Sequence, residues 1–176
     1  MTQRHNIFLI GMPGAGKSTL GKALAIRLGL SFIDADQEMV SRTGVSIATI
    51  FEIEGEAGFR VRERLLIAEL VTAYNTVLAT GGGAILSSES RQLMRDNGIV
   101  IYLRADLDDL SARTSRDTKR PLLQAADPAA VLRALLDLRE PLYHEAAHLV
   151  IDTGRLHATK LADQIIERLE QSGLWP

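Results

Sequence analysis

The chain contains no cysteine. Disulfides, cysteine-ligated zinc, iron–sulfur clusters and thiol catalysis are therefore excluded. A long apolar run is also missing. The first one, Ile7-Phe8-Leu9-Ile10-Gly11-Met12, stops at Pro13 and Gly14. It is too short to span a bilayer and has no signal-peptide h-region or cleavage site. The expectation is a soluble, cytoplasmic protein without a membrane partner. Nor is there an excess of either charge: Lys plus Arg is 20, Asp plus Glu is 22, and the net charge is -2. That balance argues against a nucleic-acid binder relying on bulk positive charge, but it leaves room for a local basic pocket. The four histidines, His5, His144, His148 and His157, have no metal-ligand spacing. They read as structural or surface residues. Chemistry is left to carboxylates, cations, hydroxyls or a borrowed metal.

What is present is an ordinary globular composition, with 46% hydrophobic and 24% charged residues among 176. It suits a single domain over 1–176 with a real core. No repeat, low-complexity tract or long linker interrupts it. Short apolar runs alternate with longer helical patterns. Strands are expected at Asn6–Ile10, Leu30–Ile33, Asn75–Ala79, Ile99–Leu103 and Leu149–Ile151. Helices are expected at Lys17–Leu28, from Ser87 to Gly98, from Asp106, at Pro128–Ala147 and at Ala158–Glu170. Such alternation implies an α/β fold, a parallel sheet covered on both faces, with ligands at the carboxyl ends of its strands.

The strongest motif is Gly11-Met12-Pro13-Gly14-Ala15-Gly16-Lys17-Ser18-Thr19. It fits the P-loop pattern and lies between an expected strand and an expected helix. Glycines let the backbone curl its N–H groups onto phosphate oxygens. The helix beginning near Lys17 adds the positive end of its dipole. Lys17 would reach the β- and γ-phosphates, and Ser18 would ligate Mg²⁺. The pattern points to a nucleoside triphosphate. It does not distinguish a small-molecule kinase from a motor or a switch.

The remaining motifs also fall at strand ends. Asp34 and Asp36, read as extended, point the same way. One suits Mg²⁺ through water and the other suits proton acceptance from a hydroxyl. The alternative is that Asp34 ends the strand and Asp36 caps a helix from Gln37. Arg60 and Glu63 are three apart and Arg60 and Arg64 four apart on an expected helix. On pattern alone these are ordinary ion pairs on a solvated face. Gly81, Gly82 and Gly83 allow a ligand close to the backbone. The basic stretch Arg113 to Leu123 reads as a lid or as a solvated loop, with Arg120 the candidate cation at the transferred phosphoryl group. Arg139, within a mainly apolar helical stretch, needs a partner, and an anionic substrate would serve.

Taken together, these segments resemble the shikimate kinases, over nearly the whole chain from Asn6 to about Gln164. The resemblance is carried by the P-loop, Asp34/Asp36, Gly55-Glu56-x-x-Phe59-Arg60, Gly81-Gly82-Gly83, Arg120-Pro121-Leu122-Leu123, and Arg139 with Tyr143. It implies a nucleoside-monophosphate-kinase-like P-loop fold, three-layered α/β/α, with a five-stranded parallel sheet of order 2-3-1-4-5. It implies transfer of the γ-phosphoryl group of ATP to the 3-hydroxyl of shikimate by a monomer using Mg²⁺. By the same resemblance Asp36 is the base, Asp34 lies near Mg²⁺, and Arg60 and Arg139 grip the substrate carboxylate. Gly82 touches substrate through its backbone, Arg120 reaches over ATP, and Arg113 and Arg155 lie beside the adenine. The substrate-binding segment would be about 35–64 and the lid about 113–125. Rivals are a gluconate or nucleotide kinase of the same fold and a non-catalytic sensor. The triple glycine and Phe59-Arg60 weigh against the first, and the retained Lys17, aspartates and Arg120 against the second.

Overall fold

A computed structural model describes residues 6–115, 125–154 and 156–175. Five strands form one parallel sheet: β1 (Ile7–Ile10), β2 (Ser31–Asp34), β3 (Thr76–Ala79), β4 (Ile99–Arg104) and β5 (Leu149–Asp152). Their spatial order is β2-β3-β1-β4-β5, as the resemblance implied. The helices are α1 (Lys17–Leu28), α2 (Ala35–Thr43), α3 (Ile47–Leu70), α4 (Ser88–Asn97), α5 (Leu107–Thr114), α6 (Pro128–Ala146) and α7 (Ala158–Gln171). A short 3₁₀ turn, Ala84–Leu86, follows β3. Every residue of β1 and β3 is buried, as expected of central parallel strands covered on both faces. No helix among the described residues is long and apolar enough to cross a membrane.

Two boundaries differ from expectation for clear reasons. Leu30 does not begin β2, because its N–H closes α1 on the Ala25 carbonyl at 2.9 Å. Gly29, at φ 66°, makes that left-handed turn. Asp34 does end β2, but it is also the cap of α2, its Oδ1 accepting from the Gln37 N–H at 3.1 Å. Asp36 therefore lies in the first turn of α2. Strand alternation does not orient it, and it is not the cap.

Topology places the site. The chain reverses its direction of travel across the sheet around β1 and β3, which are adjacent, with Leu9 level with Ala79. The N–H and hydroxyl of Thr80 both donate to the Leu9 carbonyl, at 3.1 and 3.0 Å. The loop after β1 and the glycines after β3 are thereby held side by side at the sheet's switch point. His148 ties β5 to β4: its Nδ1 accepts from the Val100 N–H at 3.0 Å. That structural use agrees with the sequence reading, and burial lowers the pKa of this imidazole.

Candidate active site

The P-loop glycines adopt backbone that other residues avoid. Gly14 has φ 83° and Gly16 φ 93°. Gly16 is also the cap of α1, with no side-chain cap and no acidic residue in the first turn. The N-terminus of α1 is thus kept for an anion, whereas the caps of α2, α3, α4 and α6 are carboxylate or hydroxyl side chains. Lys17 is buried, and its Nζ donates to the carbonyls of Gly11 at 2.7 Å and Met12 at 2.9 Å. This holds the ammonium over the mouth of the loop.

A cleft of about 920 Å³ runs from this loop to the acceptor residues. Gly14, Gly16, Lys17, Ser18 and Thr19 line one end, and Asp34, Asp36, Arg60, Glu63, Gly81 to Gly83 and Arg139 line the rest. Ala15 is not on its wall. It is buried, and its N–H turns back to the Met12 carbonyl at 3.1 Å. Arg113 lies outside the cleft, bridging the carbonyls of Gly14 at 3.2 Å and Gly154 at 3.3 Å. Arg120 and Arg155 fall outside the described residues.

The two aspartates divide the work between the ends. Asp34 Oδ2 accepts a hydrogen bond from the Ser18 hydroxyl, on the phosphate side. Asp36 faces Gly81 and Glu63 on the acceptor side.

The triple glycine is explained by space rather than by special φ. A Cβ on Gly81 would stand 2.6 Å from Glu63 Oε1 and 3.0 Å from Asp36 Oδ1. On Gly82 it would stand 2.7 Å from the Pro13 ring, and on Gly83 it would fall on the Arg60 guanidinium. Each missing side chain makes room for a different site residue.

Arg60 sits on α3 five residues after Gly55, which breaks the helix at φ 72°, ψ 178°. Its Nη1 donates to Glu63 Oε2 at 2.7 Å and its Nη2 to Glu56 Oε1 at 3.3 Å. Glu63 is buried, so the pair is not the ordinary surface ion pair that pattern alone suggested; Arg64 does make such a pair, with Glu89. Burial pushes the Glu63 carboxyl above the usual range, and Asp36 adds to this. Arg60 and Arg139 oppose it. Arg139, on α6, is only 2% exposed. The Nε atoms of Arg60 and Arg139 are both buried without a protein partner. A buried guanidinium left incompletely paired in a cleft is suited to a carboxylate or phosphate.

Glu63 was visible in sequence only through its three-residue spacing from Arg60. Leu135, Phe51 and Val45 also line the cleft. They had no sequence signal beyond being apolar.

A phosphate-binding loop opening into the same cleft as an acidic and cationic acceptor pocket, on a sheet of this order, defines a P-loop phosphotransferase. Comparison with known proteins narrows the class. The family model described as shikimate kinase matches residues 13–170. A shikimate kinase of Burkholderia pseudomallei is 52% identical over 169 residues, covering 96% of this chain and 92% of that protein. One from Bordetella pertussis is 54% identical over 164 residues, covering 93% and 78%. The structure of shikimate kinase from Acinetobacter baumannii in complex with shikimate superposes with a TM-score of 0.95 at 45% identity, covering 98% of this chain and 96% of that one. The chain belongs to the shikimate kinase family.

Proposed function

We propose that the protein transfers the γ-phosphoryl group of ATP to the 3-hydroxyl of shikimate, giving shikimate 3-phosphate and ADP. The observation that carries this reading is the shared cleft. Two incompletely paired arginines and Asp36 face the phosphate loop across Gly81 to Gly83. Arg60 and Arg139 hold the acceptor's carboxylate from two sides, with Glu63 fixing the Arg60 guanidinium. Asp36 orients the acceptor hydroxyl and takes its proton as the new O–P bond forms and the bond to the ADP oxygen breaks. The loop N–H groups of Gly14 and of Gly16 to Thr19, with Lys17 and Arg120 of the 113–125 lid, offset the charge of the transferred group. We assign Arg113, which is held on the Gly14 and Gly154 carbonyls, to the adenine end, and Arg155 to the same end on the family resemblance.

Mg²⁺ fits the phosphate end. Ser18 and Asp34 offer hard oxygen donors in contact with each other. Among the described residues no three His, Asp or Glu side chains form a metal cage of their own. Two protein oxygens suit an ion that keeps most of its water and takes phosphate oxygens. When bound, the ion neutralises charge on the β- and γ-phosphates. The residues named all come from one chain, in keeping with a monomer, and the proposed enzyme is cytoplasmic.

The test is ADP release with Mg·ATP against shikimate, quinate, gluconate and nucleoside monophosphates. Shikimate should stimulate it selectively, and absence of stimulation would remove the proposal. Asp36→Asn should lower kcat by about 10²- to 10⁴-fold while an ATP analogue still binds. Full activity in that variant would remove Asp36 as the base.

A further inference from the structure

The Tyr143 hydroxyl is buried between the two halves of the acceptor site. It donates to the Gly82 carbonyl at 2.6 Å, across 61 residues of sequence. Arg139 lies one turn earlier on α6, and its charge acts on the same hydroxyl, against the upward push of burial on the Tyr143 pKa. Tyr143 is 1% exposed, and its ring stacks on Tyr102 of β4, with centroids 4.8 Å apart. The hydroxyl is therefore held by a ring that has little freedom to move. On its other side Gly82 packs against Pro13, leaving no room for a Cβ. Arg139, Tyr143, Gly82 and Pro13 thus form one contiguous path from the carboxylate clamp to the phosphate loop.

We propose that Tyr143 is a positioning residue. Its hydroxyl is a shared pin that sets the Arg139 arm and the Gly82 backbone at a fixed separation over the phosphate loop. The physical reason lies in the demands of phosphoryl transfer. Catalysis there is mostly placement, and an ångström of misplacement can lower the rate about 10²-fold. Arg139 alone can grip a carboxylate, but its side chain is long. The Gly82 carbonyl is not used by the 3₁₀ turn, in which the Gly81 and Gly83 carbonyls accept from the Ala84 and Leu86 N–H groups at 3.1 Å. One buried hydroxyl, bonded to the Gly82 carbonyl and set one helical turn from Arg139, converts a flexible clamp into a register. Tyr143 touches neither substrate, and it acts through Arg139 and Gly82.

The inference rests on the phosphoryl-transfer reading and is tested with Tyr143→Phe in the full chain, which removes one oxygen and keeps the stacked ring. Shikimate-dependent kcat/KM should fall about 10- to 100-fold, as for leaving the buried Gly82 carbonyl without its partner, with kcat carrying part of the fall. KM for ATP should stay within about twofold of wild type. In the Arg139→Ala background, Tyr143→Phe should add less than about threefold, because the pin then has one end. Backbone hydrogen exchange at residues 81–86 should rise in Tyr143→Phe whatever the acceptor. Three outcomes overturn the pin: Tyr143→Phe kinetics within about twofold of wild type, equal rises in KM for both substrates, or penalties that multiply in the double variant. If wild type shows no shikimate-stimulated turnover, the activity proposal fails instead. Hydrogen exchange then decides the pin, and unchanged exchange at 81–86 overturns it.

Discussion

Replacing Gly83 with alanine should act as a substitution of Arg60. Gly83 has φ -94° and ψ -1°, which alanine adopts without strain, so backbone conformation is not the difficulty. The difficulty is that the added Cβ would overlap the Arg60 guanidinium at Nη1, Cζ and Nη2. That group is the end of a long side chain, so it swings aside and the fold survives. In moving, it abandons the 2.7 Å bond to Glu63 and its place in the cleft. Hydrogen bonds to charged groups contribute roughly 1.5–3 kcal/mol. Loss of the clamp arm then lowers kcat/KM for shikimate roughly 10- to 150-fold. The effect should appear mainly in KM for shikimate, with KM for ATP little changed. Destabilisation should stay near 1–2 kcal/mol, about 2–8 °C in Tm for a chain of this size. The assay is ADP release with the two substrates varied independently, for Gly83→Ala, Arg60→Ala and the double variant. The double variant should match Arg60→Ala, since the clash has lost its target. A wild-type KM for shikimate in Gly83→Ala would refute the argument, as would a double variant far worse than Arg60→Ala.

Two further outcomes are expected. Burial raises the Glu63 carboxyl above its unfolded value of 4.5. From there up to its native pKa, the folded chain holds a proton that the unfolded chain has released, so this group's contribution to stability falls as pH rises. Glu63→Gln lacks that proton, and the Tm of the variant minus that of wild type should increase with pH above about 4.5. A difference flat with pH in thermal melts would contradict this. Ser18→Ala removes an oxygen from the Mg²⁺ end, and the Mg²⁺ concentration for half-maximal velocity should rise on the order of 10-fold or more. An unshifted Mg²⁺ titration would take Ser18 out of that role.

Features that live in short stretches of chain are legible without the fold. The P-loop is one such feature, because its glycines, Lys17 and Ser18 act within nine residues. The alternation of strands and helices is another, and with it the class of sheet and the edge where ligands bind. The resemblance supplied the strand order, which the structure bears out. Tertiary structure decided everything that depends on residues far apart in the chain. Spacing alone leaves Asp34 and Asp36 interchangeable, and only the resemblance told them apart; the helix cap sends one to Ser18 and the other to Gly81. On pattern alone Arg60 and Glu63 read as surface charges, and the resemblance gave a role to Arg60 only; folding buries the Glu63 carboxylate and raises its pKa. The triple glycine reads in sequence as an opening for a ligand at the backbone. Packing shows three spaces, taken by Glu63 and Asp36, by Pro13 and by Arg60. The sequence names which side chains are small, but only the folded chain shows which neighbour occupies the room they leave.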